Sequence, residues 1–371
     1  MTTLSIEPFD LLMFRDGKPF SAGDDHLARS IFPPHPTTVA GFLRTILFEA
    51  AGLSLEEAAK RFGSIGDSDS YGDFRLTRLL LAKDGTFFVP APADLVVPKR
   101  SPQASPGLLR PLRESPFRIS TNMPDSNLAV LWPSLHDVVE GARGFVAMAD
   151  LQRYLIEAQP PPNVYPEDWF ALREPRTQVG IDAARRTAAE RQLYTVDYLR
   201  LLRGVSIVVS FDGVKWPVES GVSRMGGEGR LVRLRKIASP QTDDPEAIVR
   251  AISNCGRFKL VLLTPAIFEL GWRPGERMRT LFEAAGVTAR LVAAAVNRFV
   301  PIGGFDLRNK RPKPMRLAVP AGSVYFYEIQ DGDPHRLVPQ CNLAPISDKH
   351  WQAGMGITAL GTWDYAELGA Q

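Results

Sequence analysis

Read for the spacing of its apolar residues, the chain alternates short strand-like runs with helical stripes. Val39, Phe42, Leu43, Ile46 and Leu47 fall at i, i+3, i+4, i+7 and i+8, which predicts a helix with one face in a core. Pro36 forbids helix before it, Thr37 or Thr38 can accept from the first free amides, and Gly52 ends the element. Ser54 with Glu57 makes a capping box for a second, short helix ending near Gly63. Leu4–Leu12 reads as a strand broken near Pro8. Phe74–Leu81 and Thr86–Val89 flank Asp84-Gly85, a hairpin signal. Gln152–Ala158 reads as helix, ended by three consecutive prolines from Pro160. Thr177–Asp182 and Leu193–Leu202 read as strands around a polar turn, and Val205–Phe211 is a β-branched run that must be a buried strand. Leu231–Ile237 is a further strand. The seven prolines from Pro90 to Pro116 predict an irregular excursion.

After a linker at Pro240–Asp244 the order is strand Phe258–Leu263, helix Gly275–Ala285, strand Ala289–Val300, strand Ser323–Ile329 and a glycine-rich strand Gly354–Trp363. This β-α-β-β-(α)-β order is the ferredoxin-like arrangement, also used by RNA-recognition modules. The first 240 residues fit the same plan with a proline-rich insertion. The expected fold class is therefore α+β: two ferredoxin-like (RRM-like) domains with glycine-rich loops. Residues 1–240 would carry the insertion, around 90–175, and residues 241–371 would form the second domain. No sequence repeat links the two, so the duplication is structural.

At 371 residues the chain is long enough for two domains, and 44% hydrophobic with 23% charged residues is ordinary globular composition. The net charge of +3 does not announce nucleic acid. Its distribution says more: basic clusters lie at Lys99–Arg118, Arg224–Lys236 and Arg298–Arg316, while Glu56–Asp73 is acidic and a candidate protein-facing side. Cys255 and Cys341 cannot make a disulfide framework or a four-cysteine zinc site. The N-terminus lacks a secretory layout and no apolar run reaches membrane length, so a reducing cytoplasm is expected, with no membrane partner.

The densest chemistry lies between Pro301 and Glu328. Gly303-Gly304 opens a run with Arg308, Lys310, Arg311, Lys313 and Arg316, stiffened by Pro312 and Pro314. Such cations cannot fold into a helix and stay extended and solvent-facing, suited to following a polyanion. A solvated basic loop is the plain alternative. Gly226-Gly227-Glu228-Gly229, between Arg224 and Arg230, would let a phosphate approach bare amides, or would simply make a tight turn. It is no dinucleotide fingerprint, and no phosphate-loop motif exists in the chain. Phe14 and Phe20 bracket Arg15 and Lys18, an aromatic-basic mix that holds unpaired bases or pins a loop to the core. His35, beside a helix N-terminus, could serve as a general base for RNA cleavage, as a turn residue or as a base-stacking contact. The remaining histidines are scattered, no zinc spacing occurs, and no cofactor is called for.

These residues fall in recognisable blocks: FRDGKPF (Phe14–Phe20), PPHPTTVAGFLR (Pro33–Arg44), TQVGID with LYTVDYLRL (Thr177–Leu202), MGGEGRL (Met225–Leu231), Gly303–Glu328 and GMGITALGTWDY (Gly354–Tyr365). In that order they resemble the RAMP superfamily of CRISPR-associated proteins, specifically the third subunit of the type III-B (Cmr) effector complex. The resemblance runs nearly end to end but says nothing about Pro90–Pro175. It implies two ferredoxin-like domains and no nuclease activity. It implies a grip on the repeat-derived 5′ handle of the guide RNA, and docking to the large polymerase-like subunit and the first backbone subunit. Carried over by motif, the RNA-facing positions would be Arg15, Lys18, His35, Thr37, Thr38, Gly226, Gly227, Arg230, Arg308, Lys310, Arg311, Lys313 and Arg316, to which the residue chemistry adds Arg224, Gly303 and Gly304. Two rival readings are a metal-independent endoribonuclease that processes repeat RNA with His35 as base, and a scaffold that touches only protein.

Overall fold

A computed structural model describes residues 1–16, 27–53, 57, 65, 70–101, 104–114, 128–182, 185, 187–241, 244–306 and 311–366. Two sheets organise it. The first contains β1 (Thr2–Pro8), β2 (Arg75–Lys83), β3 (Thr86–Pro90), β4 (Phe145–Ala147), β5 (Val205–Asp212), β6 (Ser220–Met225) and β7 (Arg230–Lys236). Its order is β6-β7-β1-β5-β2-β3-β4, antiparallel throughout. Central β5 is buried from Val205 to Phe211, as its β-branched run demands. The β2–β3 hairpin turns at Asp84-Gly85, both with positive φ, and sets Lys83 opposite Thr86.

Helix α1 (Pro36–Ala50) packs on this sheet with Val39, Phe42, Leu43 and Leu47 buried, the stripe that the spacing predicts. Its start differs from expectation. Pro36 takes the first helical position, His35 becomes the cap residue, and no side chain caps the free amides, so neither threonine does. The short helix expected after Ser54, and most of the acidic Glu56–Asp73 stretch, lie outside the described residues.

Among the described residues the other α-helices are α2 (Met148–Glu157), α3 (Pro245–Ser253), α4 (Glu276–Ala285) and α5 (Pro334–Cys341). The second sheet holds β8 (Arg257–Leu262), β9 (Thr288–Ala295), β10 (Val324–Asp331) and β11 (Thr358–Gly361), in the antiparallel order β9-β10-β8-β11. α4 connects β8 to β9, and α5 connects β10 to β11. In the first sheet the stretch from β5 to β6 contains no helix. Both faces of the second sheet are covered. Phe258, Leu260 and Leu262 pack with Ile248, Leu281 and Leu337 of α3, α4 and α5. Val261, Phe326 and Trp363 face the other way and join the core of the first sheet. One wall therefore serves both halves.

The proline-rich region is more regular than expected. Leu95–Pro98, Gly107–Pro111, Leu131–Pro133 and Val139–Gly141 pair into a four-stranded sheet. Pro98, Pro111 and Pro133 each end a strand, where a missing N–H costs the ladder least. Ala171–Asp182 and Thr187–Leu201 form one long antiparallel hairpin, with a shorter turn than the polar run suggested, and Leu27–Ala28 adds to its edge.

Candidate nucleic-acid interface

The candidate residues collect in two places rather than one. The first centres on Met13-Phe14, which runs beside the end of β6. Gly226 has φ +74°, and a Cβ there would lie 2.4 Å from the Met13 carbonyl oxygen, so only glycine permits the approach. The Gly227 N–H donates to that same carbonyl at 2.8 Å. The expectation of a bare Gly227 amide is thus corrected: the glycines seat the turn on Met13. Arg15, two residues on, bridges to Ser30, and Arg224 is exposed on the edge strand β6. Lys18 lies outside the described residues.

Arg230 is not open to solvent ions in the way its sequence suggests. It pairs with Glu228 at 2.7 Å, and its guanidinium lies 4.7 Å from the Tyr198 ring centroid. The Tyr198 hydroxyl donates to Glu228 at 2.6 Å and accepts from Gln178 at 2.6 Å. Glu228 thus supplies the negative partner of Arg230. Sequence reading missed this acid, although its position between glycines and next to an arginine was a usable signal.

His35 caps α1 with its ring largely buried and Nε2 without a hydrogen-bond partner. Burial pulls its pKa down to about 4, so the ring is neutral near pH 7 and brings no charge to a phosphate. Thr37 and Thr38 lie in the first turn, the Thr38 N–H donating to the His35 carbonyl. α1 packs against β6, which ends at Met225 and leads into the glycine turn.

The second group is a hairpin. Val300–Ile302 pairs with Arg316–Ala318, and Phe305–Asp306 pairs with Arg311–Pro312. The basic run is extended and exposed from Arg311 to Arg316, but it folds back on its own start instead of reaching out as a single ribbon. The Lys313 N–H donates to the Gly304 carbonyl at 2.8 Å, and Gly303 lies between the two paired stretches. Arg311, Lys313 and Arg316 form no ion pair among the described residues, to which Arg308 and Lys310 do not belong. Lys313 and Arg316 stand near His350: after burial, their charges help hold its pKa below the usual value.

A chain of contacts runs from this group toward the first. His350 Nδ1 lies 3.3 Å from the Tyr71 hydroxyl, and the Arg44 guanidinium stacks 4.9 Å from the Tyr71 ring. Arg44 sits on α1, about 14 Å along the helix axis from His35.

A family model described as CRISPR-associated protein (Cas_Cmr3) matches residues 4–363. The chain belongs to the Cmr3 family of CRISPR-associated proteins. It is 23% identical over 337 residues to the CRISPR system CMR subunit Cmr3 of Saccharolobus solfataricus, covering 89% of this chain and 88% of that relative. Among solved structures it is similar to a chain of the Type III-B Cmr-beta complex bound to cognate target RNA and AMPPnP, with TM-score 0.48, 17% identity, and 87% and 86% of the two chains covered. A chain of the Csm3-Csm4 subcomplex of the type III-A interference complex gives TM-score 0.40 at 13% identity, covering 90% of this chain and 94% of that one. The Cmr3 match spans the glycine turn, α1 and the basic hairpin alike, so both groups of candidate residues lie within the family's own region.

Proposed function

We propose that the chain is a non-catalytic subunit of a type III-B CRISPR effector complex. It holds the repeat-derived 5′ handle of the guide RNA and docks the large polymerase-like subunit and the first backbone subunit. Membership of the Cmr3 family over residues 4–363 carries this reading. The exposure of Arg311, Lys313 and Arg316, with no ion pair to any of them among the described residues, supports an RNA backbone as ligand, since such cations attract phosphates without first breaking an internal pair. The neutral ring of His35, whose buried Nε2 has no hydrogen-bond partner among the described residues, supports a binding role over a cleaving one, because a general base needs a group to orient it.

Strand order supports two ferredoxin-like units. Counting each from its own first strand, β7-β1-β5-β2 and β11-β8-β10-β9 both read 4-1-3-2. The first unit replaces its second helix with the added strand β6 and carries the proline-rich sheet as its insertion.

Affinity purification of the tagged chain from its host, followed by sequencing of bound RNA, tests the reading. Enrichment of RNAs sharing one repeat-derived 5′ end is expected, together with co-purification of the other subunits. Recovery of bulk RNA with no common 5′ end would overturn the handle assignment. Specific cut products from repeat RNA incubated with the pure protein in EDTA, lost on His35→Ala, would overturn the non-catalytic one.

A further inference from the structure

Where the two sheets meet there is a positive site that includes none of the candidate residues above. Arg75 opens β2 of the first sheet, and Arg277 stands in the first turn of α4 behind the second. Their guanidinium carbons lie 4.9 Å and 4.1 Å from the ring centroid of one indole, Trp351. Trp351 is itself fixed at the joint. Its neighbour Gln352 donates through Nε2 to the Gly72 carbonyl at 3.1 Å, and its other neighbour, His350, meets the Tyr71 hydroxyl.

Neither arginine has a carboxylate partner among the described residues. Arg75 donates through one terminal nitrogen to the carbonyls of Gly72 and Phe74, at 2.6 Å and 2.9 Å. Arg277 donates through Nε to the Pro345 carbonyl at 3.4 Å. Asp348, the acid beside α4, spends its two oxygens on the backbone amides of Glu269 and Arg277. Two half-buried cations thus share one aromatic ring with no carboxylate paired to either guanidinium among the described residues. The indole face offsets part of their repulsion. Burial and then the charge of Arg75 still pull the Arg277 pKa down. Among the described residues the outer terminal nitrogens of both forks have no protein acceptor, which suits bidentate capture of a phosphate.

We propose that Arg75 and Arg277, held on Trp351, bind a backbone phosphate of single-stranded RNA at the joint between the two sheets. The site continues from the hairpin through Lys313 and Arg316, whose charges reach His350 beside Trp351. An RNA strand following the hairpin meets the joint next, and its phosphate supplies the missing negative charge to both halves at once. The identity of the ligand as RNA rests on the function proposed above; the charge imbalance at Trp351 does not.

The test uses the full chain and fluorescein-labelled oligouridine, read by anisotropy over a range of salt. Arg75→Gln with Arg277→Gln is expected to weaken binding about tenfold and to flatten the log–log salt slope by about 0.7, the share of one single-strand phosphate. Arg277→Glu guards against misfolding: it gives Arg75 an internal partner, so it should hold or raise the melting temperature while weakening RNA binding to the same degree. If both variants bind like the parent while Arg311→Ala/Lys313→Ala/Arg316→Ala binds weakly, the joint is no RNA site and the RNA-binding function stands. If the parent binds no oligouridine, the RNA assignment falls. In that case binding of fluorescein-labelled oligoglutamate to the parent, lost in Arg277→Glu, would assign the site to an acidic protein segment instead.

Discussion

The Lys259 ammonium lies 3.2 Å from the centroid of the Tyr154 ring, with both side chains sealed from solvent. Asp94 stands 4.0 Å from the ammonium and accepts the Tyr154 hydroxyl. The three residues come from β8, α2 and the proline-rich region, so this buried cluster pins three parts of the chain together. Burial pulls the Lys259 pKa down to about 7, against the opposing pull of Asp94; Arg110 also lowers it and Asp364 raises it. Burial likewise pushes the Asp94 carboxyl up, and Lys259 and the Tyr154 hydrogen bond offset only part of that.

The first prediction follows from this cluster. Above pH 7 the folded chain has lost the Lys259 proton while the unfolded chain keeps it until about pH 10. The unfolded state then binds more protons, and stability rises with pH, by up to about 1.4 kcal/mol per unit. Below pH 7 both states are protonated and the full cost of the buried charge remains. Urea denaturation between pH 7 and 9 should show this rise, and Lys259→Met should abolish it.

Two glycines should respond to alanine with opposite sign. Gly226→Ala drives a Cβ into the Met13 carbonyl at a positive φ and should cost roughly 1–3 kcal/mol. Gly41→Ala, within α1 and with nothing within 4 Å of its new Cβ, should stabilise by roughly 0.5–1 kcal/mol. Melting temperatures of the two variants check both signs.

Removing Arg311, Lys313 and Arg316 together should leave folding intact, because all three are exposed. If each meets one phosphate, the salt slope of RNA binding should flatten by about 2. Anisotropy titrations at several salt concentrations measure it.

Glu228→Gln should release Arg230 while keeping an acceptor for Tyr198. A half-exposed pair of this kind contributes about 0–1 kcal/mol, so the melting temperature should barely move. RNA affinity should rise several-fold and become more salt-sensitive if the glycine turn faces the strand; equal affinity would place that turn away from RNA.

Much of this fold was legible because local spacing and long-range packing agree. The stripe from Val39 to Leu47 and the Asp84-Gly85 turn needed no tertiary information, and the strands of the second sheet could be listed in order. α3 was missed although Asp244, Pro245 and the Ile248, Val249, Ile252 spacing signal a capped helix; its proximity to a linker-like stretch hid it. The sheet among the prolines was hidden because its strands are only three to five residues long and end on Pro98, Pro111 and Pro133. At the site, glycine and arginine identities were readable but their partners were not. Nothing local reveals that Glu228 neutralises Arg230, that the Gly227 amide is taken by Met13, or that Arg75 and Arg277 meet over Trp351 across some 200 residues. The burial of Lys259 follows from which face of β8 meets the first core, a matter of topology alone.

The shared wall has a consequence for synthesis. While the ribosome is still making the second sheet, the first sheet has nowhere to bury the surface that Val261, Phe326 and Trp363 will cover. Trp363 follows β11, so the nascent chain keeps this surface exposed until every strand of both sheets has emerged. A truncation that stops after β10 should therefore be captured by chaperones or cleared by proteases, even though every candidate RNA contact has already been translated.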